Sequence, residues 1–434
     1  MDKEPEILHM PHDQIEELQL KELQKTLVYS YERIPFYKQR FDEAGFNPYT
    51  VGSLDDIEKA PFTTKQDLRD NYPYGMFAVS PKELREIHMS SGTMGVATVS
   101  GYTAHDLEIW GDAFARGIIY TGGDENDIVQ VGYGYGLFTG GLGAHYGGMA
   151  LNCCVIPAST GNTRRQIEIL ANMGSTIICC TPSYAMHLAD AAIEMGYNAA
   201  EDFSLRAGIL GAEPISDTMR KELERKLDMQ IYDVYGLTET MGPGVATECQ
   251  MQTGLHLCED YFLPEIVDPE TLQPLPEGEW GELVLTTLGK EASPVTRYRT
   301  RDVTRILPGE CACGRTHRRI DRLHGRTDDM LKIRGVNVFP SQIEDVMKTF
   351  ADVASWYQIE LTREGALDRV TLRAEVNPDF PFDSVSAVEN LEHKIEGELK
   401  TMLQVGIDVK LVEPHSIPRS EGKAKRVIDL REGK

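Results

Sequence analysis

From residue 12 to residue 45, apolar residues recur at three- and four-residue steps, as in HDQIEELQLKELQKTLVYSYERI, and this spacing predicts helix. After that, short β-branched runs alternate with helical stretches. DIVQVGYGYG reads as a strand entering a glycine-rich loop, and GSTIICCTPS and LRAGILGAEP read as two more strands. DTMRKELERKL is the helix that follows, and MQIYDVYGLTE is a further strand ending in a loop. Such alternation predicts an α/β fold with mainly parallel sheets and helices on their faces. Active residues are then expected at the C-terminal ends of the strands.

The pattern changes at Leu263. FLPEIVDPETLQPLPEGEWGELVLTTL predicts antiparallel strands joined by Pro/Gly turns, a small barrel-like region beside the parallel sheet. Near Arg326 a third pattern begins. VFPSQIEDVMKTF predicts a helix, WYQIELTREGALDRVTLRAEV a hairpin, residues 384–403 another helix and IDVKLVEP a strand. Together these make a compact α+β unit of about 100 residues, an ordinary domain size.

Composition narrows the function classes. The chain has 434 residues and a net charge of −24, which argues against nonspecific nucleic-acid binding. Anionic substrates would need local clusters of positive charge on such a background. Met1 to Leu20 is polar and acidic and no apolar run is long enough to cross a membrane, so no membrane partner and a cytoplasmic setting are expected. The eight cysteines then read as reduced thiols or metal ligands. Cys153–Cys154 and Cys179–Cys180 lie in apolar stretches and are expected to be buried.

Five segments carry candidate chemistry. In Ser90-Ser91-Gly92-Thr93-Met94-Gly95, hydroxyls and glycines allow a loop to wrap a phosphate with N–H and O–H donors. Tyr235-Gly236-Leu237-Thr238-Glu239 ends an apolar strand. Its carboxylate suits Mg²⁺ against phosphate oxygens, and its tyrosine could stack on an adenine. In Tyr298-Arg299-Thr300-Arg301-Asp302 the carboxylate could accept both hydroxyls of a ribose. Gly325 to Gly335 opens with Arg326, suited to fixing a nucleotide, and Arg419 to Arg426 holds Lys423.

In this order and spacing the five segments resemble the adenylate-forming enzymes. GYGLFTGGLGAHYGG at 134–148, GAEP at 211–214, RYRTRD at 297–302, GRTDDMLKIRGVNVFPSQIE at 325–344 and RSEGKAKRVID at 419–429 resemble the phenylacetate–CoA ligase branch, from about residue 15 to the end. The resemblance implies two half-reactions. A carboxylic acid attacks ATP to give acyl-adenylate and pyrophosphate, and the thiol of coenzyme A then takes the acyl group and releases AMP. It implies Lys423 and Glu239 as catalytic residues, the latter holding Mg²⁺, with pyrophosphate held by Ser90, Ser91, Gly92, Thr93 and Gly95. It implies nucleotide contacts from Tyr235, Gly236, Thr238, Asp302 and Arg326, with Glu213 near the adenine or the carboxylate. It places the aryl group against Tyr135, Phe138, Ala212 and Tyr235. It also implies a large domain over 1–327 and a small mobile domain over 328–434, hinged at Asp328.

Some members of the branch that carry a Cys-x-Cys turn, as at Cys311–Cys313, also carry cysteine and histidine at the matching earlier positions. A structural zinc is therefore expected on Cys249, His256, Cys311 and Cys313, with Cys258 as the alternative fourth ligand. A homodimer is the family expectation, and the amphipathic N-terminal helix could serve it or pack on its own core. One departure stands out: Val96 occupies the position after Gly95 where close relatives usually carry lysine. The other readings are a non-catalytic nucleotide-binding homologue and an adenylating enzyme that uses a carrier-protein thiol.

Overall fold

The computed structural model describes residues 4–90, 97–327, 331–333, 336–338, 340–364, 367–403, 405–419 and 426–431. The chain opens with helices α1 (His12–Arg33), α2 (Pro35–Ala44) and α3 (Lys65–Asp70). Apolar spacing continues from α1 into α2, but Pro35 lacks the N–H that would continue the ladder. Ile34 is extended, at φ −113° and ψ 108°, and starts a second helix, so the stretch expected as helix over 12–45 is two helices. The face of α1 carrying Leu23 and Leu27 packs with Tyr37 and Phe41 of α2 against Leu263, Leu288 and Tyr298. Full burial of each such leucine is worth roughly 1.5–3 kcal/mol. Gln19, also buried, donates to the carbonyl oxygens of Glu259 and Phe262 at 2.8 and 3.3 Å. Of the two uses open to this helix, the structure shows the packing on its own core.

Next come β1 (Glu86–Met89), β2 (Val99–Tyr102), α4 (Ala104–Tyr120), β3 (Ile128–Val131), α5 (Thr139–Ala150), β4 (Cys154–Ile156), α6 (Thr163–Met173) and β5 (Ile177–Cys180). They are followed by α7 (Pro182–Glu194), α8 (Ala199–Asp202), β6 (Ala207–Gly211), α9 (Asp217–Leu227), β7 (Gln230–Leu237), β8 (Gly242–Glu248) and β9 (Leu255–Leu257). The antiparallel trio β10 (Phe262–Val267), β11 (Gly281–Thr287) and β12 (Tyr298–Thr304) precedes β13 (Ile306–Leu307) and β14 (Arg319–Ile320).

A nine-stranded sheet runs β13-β14-β9-β8-β7-β6-β5-β3-β4. Its half from β7 to β4 is parallel, and β8, β9, β14 and β13 continue it antiparallel. The parallel strands read as near-continuous apolar runs because both faces are covered. Ile177 to Cys180 and Ala207 to Gly211 are buried throughout. Cys153, Cys179 and Cys180 are buried as expected, but Cys154 is exposed, because β4 is the edge of the sheet.

The C-terminal part contains β15 (Leu331–Ile333), β16 (Val336–Val338), α10 (Pro340–Met347), β17 (Val353–Glu364), β18 (Leu367–Val376), α11 (Val385–Leu403), β19 (Asp408–Val412) and β20 (Val427–Asp429). Its four-stranded sheet, β19-β18-β17-β20, has its own apolar core with Ile395 and Leu399 of α11. Trp356 of β17 leaves that core and packs with the side chains of α7 and α9. The Arg419 guanidinium lies over its ring at 4.0 Å, while Ser355 donates to Glu222 of α9 at 3.3 Å.

Candidate functional site

The C-terminal ends of β3, β6 and β7 deliver Tyr135, Ala212–Glu213 and Tyr235–Glu239 to one end of the sheet. Tyr235 is buried and its hydroxyl donates to Asp302 Oδ2 at 2.6 Å. The other carboxylate oxygen accepts from Arg326 Nη1 at 3.0 Å. A bulge aims Asp302. The β11–β12 register passes from Val284–Arg299 to Glu282–Val303, so Thr300, Arg301 and Asp302 face Leu283 alone. Arg301 takes φ 69°, a left-handed conformation costly for a side chain of this kind, and Thr300 pins the bulge by donating to Leu283 O at 2.7 Å. The Tyr235 ring, expected against an adenine, packs with the core residues Tyr102 and Trp110 in one cluster, and its hydroxyl positions the carboxylate. Gly236 is required there for space, since a Cβ would stand 1.8 Å from Gly242 O.

Glu239 lies just beyond, 9% exposed. Its Oε1 accepts from Thr98 Oγ1 at 2.9 Å and faces Lys65 Nζ at 3.3 Å. The hydroxyl oxygens of Thr98 and Ser90 lie 2.8 Å apart, and Ser90 N donates to Thr98 O at 3.0 Å, so the two ends of the candidate phosphate loop are tied together. A nearly buried carboxylate among hydroxyl oxygens is a hard donor set that fits Mg²⁺. Beneath it lies Lys290, buried, donating to Ser100 Oγ and Thr240 O at 2.7 Å each. Burial holds the Lys290 ammonium down at about 8, against the pull of Asp106 and Glu239. Sequence reasoning missed both Lys65 and Lys290. Neither lies in a motif, and the only signal is a lone lysine next to a helix cap or beside the strand that precedes the Arg-rich segment.

On the other side, Tyr135 OH and His145 Nδ1 are 3.2 Å apart, and Thr139 and Thr238 bring their hydroxyls to 3.4 Å, joining the start of α5 to the end of β7. Phe138 is 55% exposed at the mouth of this region. Ala212 is exposed and left-handed, at φ 69°. Both Glu213 oxygens are engaged by Ser183: its N–H reaches Oε2 at 3.1 Å and its hydroxyl Oε1 at 3.0 Å. Glu213 is thus tied to the first turn of α7. Ser91, Gly92, Thr93, Gly95, Asp328 and Lys423 lie outside the described residues.

A second cluster lies at the opposite end of the sheet, because β8 returns antiparallel to β7. Ligand atoms of Cys249, His256, Cys311 and Cys313 all fall within 4.8 Å of one another. Cys249 Sγ and Cys311 Sγ are 3.7 Å apart, and Cys313 Sγ is 3.4 Å from His256 Nε2. The edges of a tetrahedron around zinc measure about 3.8 Å between two sulfurs and about 3.5 Å between sulfur and nitrogen. His256 Nδ1 faces His317 O at 3.0 Å, which directs Nε2 into the cluster. Burial holds this imidazole down at about 4, in its neutral, ligating form. Cys258, the alternative ligand, turns away and donates to Gly244 O at 3.4 Å.

Residues 127–289 match the family model for the AMP-binding enzyme, and residues 335–431 match that for the AMP-binding enzyme C-terminal domain. The chain is 47% identical to the phenylacetate–coenzyme A ligase of Escherichia coli (strain K12), over 96% of this chain and 95% of that one. It is 44% identical to the enzyme of the same name from Thermus thermophilus, over 99% of each. Among solved structures it superposes on 2-hydroxyisobutyryl-CoA ligase in the postadenylation state with 2-HIB-AMP, with a TM-score of 0.91, 30% identity and coverage of 98% and 91%. Against the same ligase in the thioesterification state, with coverage of 99% and 92%, the TM-score is 0.73 at 31% identity.

Proposed function

The chain belongs to the phenylacetate–coenzyme A ligase family, whose members join an acid to coenzyme A through an acyl-adenylate at the expense of ATP, and we propose that its own acid is phenylacetate or a close aryl analogue. The observation that carries the site assignment is the convergence of Asp302 and Glu239 at the end of β7, one held by Tyr235 and the other by Thr98.

Asp302 accepts the ribose hydroxyls and Arg326 steadies the nucleotide. Glu213, Gly236 and Thr238 border it. Glu239 holds Mg²⁺, which when bound offsets phosphate charge. The loop from Ser90 through Gly95 holds the pyrophosphate. The role assigned to Lys423 is to stabilise the charge that develops between the acid's carboxylate and the α-phosphate. Carboxylate oxygen bonds to the α-phosphorus and the bond to the β-phosphate oxygen breaks, with the electron pair leaving on pyrophosphate. The thiolate of coenzyme A then attacks the acyl carbon and AMP departs. Tyr135, Phe138 and Ala212 border the aryl group.

The division at 327/328, with Asp328 as hinge, lets the C-terminal part carry Lys423 in for the first step and away for the second. The related 2-hydroxyisobutyryl-CoA ligase is solved in both a postadenylation and a thioesterification state, and this chain resembles the first more closely. Cys249, His256, Cys311 and Cys313 hold a structural zinc, with no open position for chemistry. Their thiols have to stay reduced, which favours a cytoplasmic setting. A homodimer rests on family grounds alone, since α1 uses its apolar face within the chain.

AMP and thioester production from ATP, Mg²⁺ and coenzyme A over a panel of aryl and alkyl acids tests this reading. Thioester with one aryl acid supports it and names the substrate. AMP without thioester points to another thiol acceptor. Neither product, with ATP still bound, would leave a nucleotide-binding homologue.

A further inference from the structure

The segment Pro61-Phe62-Thr63-Thr64-Lys65 belongs to none of the five motifs, yet it is built into the site. Thr63 is buried and bridges alongside Tyr298 of β12, the strand that carries Asp302. Thr63 N donates to Arg297 O at 3.0 Å, Arg299 N donates to Thr63 O at 2.9 Å, and the Thr63 hydroxyl donates to Thr296 O at 2.7 Å. Thr64 closes a capping box with Asp67. These contacts fix the backbone of Lys65, and from there its side chain crosses to Glu239. The same carboxylate oxygen holds Thr98, whose other bonds close the phosphate loop on Ser90. A cation therefore stands at the Glu239–Thr98–Ser90 chain, whose last two residues flank the segment in which Val96 occupies the position after Gly95.

We propose that Lys65 contacts the β- and γ-phosphates of ATP, and the pyrophosphate as it leaves, supplying the cation that position 96 does not. The assignment rests on the ATP-dependent ligation described above. As an ion pair alone, Lys65–Glu239 would contribute little, because Lys65 is 36% exposed. That same exposure leaves the ammonium free to exchange one anion for another. Lysine suits the exchange, being a compact charge with three donors on a flexible stem. Lys290 is also near, but it is buried and bound to Ser100 and Thr240, so it cannot turn to a phosphate. In the adenylation step Lys65 donates hydrogen bonds to oxygens that gain charge as the phosphoanhydride breaks, and it transfers no proton.

The test compares wild type, Lys65→Ala, Lys65→Arg and the double variant Lys65→Ala/Val96→Lys. Binding of α,β-methylene-ATP, inorganic pyrophosphate and AMP is measured by calorimetry, and ATP–pyrophosphate exchange is followed with the acid the panel identifies. Lys65→Ala is expected to weaken the analogue and pyrophosphate about 10- to 100-fold and to slow exchange, with AMP affinity and melting temperature retained. Lys65→Arg and the double variant should recover part of the loss. Equal weakening of AMP and the analogue would assign Lys65 a structural role and overturn the proposal, as would unchanged binding in an enzyme whose wild type exchanges. A wild type that exchanges with no acid would instead overturn the ligation reading, and this assignment with it.

Discussion

The hydroxyl of Tyr235 donates to Asp302 Oδ2 at 2.6 Å, so the aromatic of one motif holds the carboxylate of another 67 residues later. Tyr235→Phe keeps the packed ring and removes only this donor. Affinity for AMP is expected to fall about 10-fold, the scale of a hydrogen bond to a charged group, with the fold intact. Calorimetry with AMP checks it, and wild-type affinity in the variant would remove the positioning role.

The selective effect belongs to Lys423. Lys423→Ala should slow adenylate formation roughly 10²- to 10³-fold, while thioester formation from supplied acyl-adenylate persists. Equal loss in both half-reactions would contradict a lysine that serves only the first.

One zinc per chain is expected by elemental analysis, lost in Cys311→Ser and in Cys313→Ser. Because Cys249 follows the far end of β8, the cluster and Glu239 lie at opposite ends of the sheet. The variants should therefore melt at lower temperature, by about 1–1.5 °C for each kcal/mol lost, while adenylate still forms in the cold. A metal-free wild type with unchanged stability would refute the site.

Lys290 makes stability depend on alkaline pH. In the folded chain it gives up its proton near 8, whereas an ordinary lysine holds it to 10.5. Its unfavourable burial is fully present below pH 8. Between those values the unfolded chain binds more protons, so raising the pH relieves the cost, by up to ~3 kcal/mol. The melting temperature of wild type should therefore gain on that of Lys290→Met from pH 7 to pH 10. Parallel curves would show that the ammonium is not desolvated.

Local regularity was legible in the sequence wherever one element decides its own shape. DTMRKELERKL is helix over Asp217–Leu227, because its apolar positions repeat on one face and Ser216 caps it. The members of the Cys/His cluster could be picked out because cysteines at a turn are few and chemically distinct, and the cluster brings together the preferred set, not Cys258. What depended on distant partners was not legible. Lys65 gains its meaning from a carboxylate 174 positions away, and Lys290 from a hydroxyl 190 positions earlier. Tyr235 likewise reads only as a ring able to stack on adenine, and its hydrogen bond to Asp302, 67 positions later, has no signal in the sequence.

Of the three tryptophans, Trp110 is buried against Tyr102 and Trp280 is 42% exposed; Trp356 alone spans the two parts of the chain. Any departure of the C-terminal part from α7 and α9 carries the Trp356 indole out of an apolar pocket and into water. The protein thus contains its own optical reporter: a red shift in emission, absent in Trp356→Phe, would reveal and time any such departure without a label.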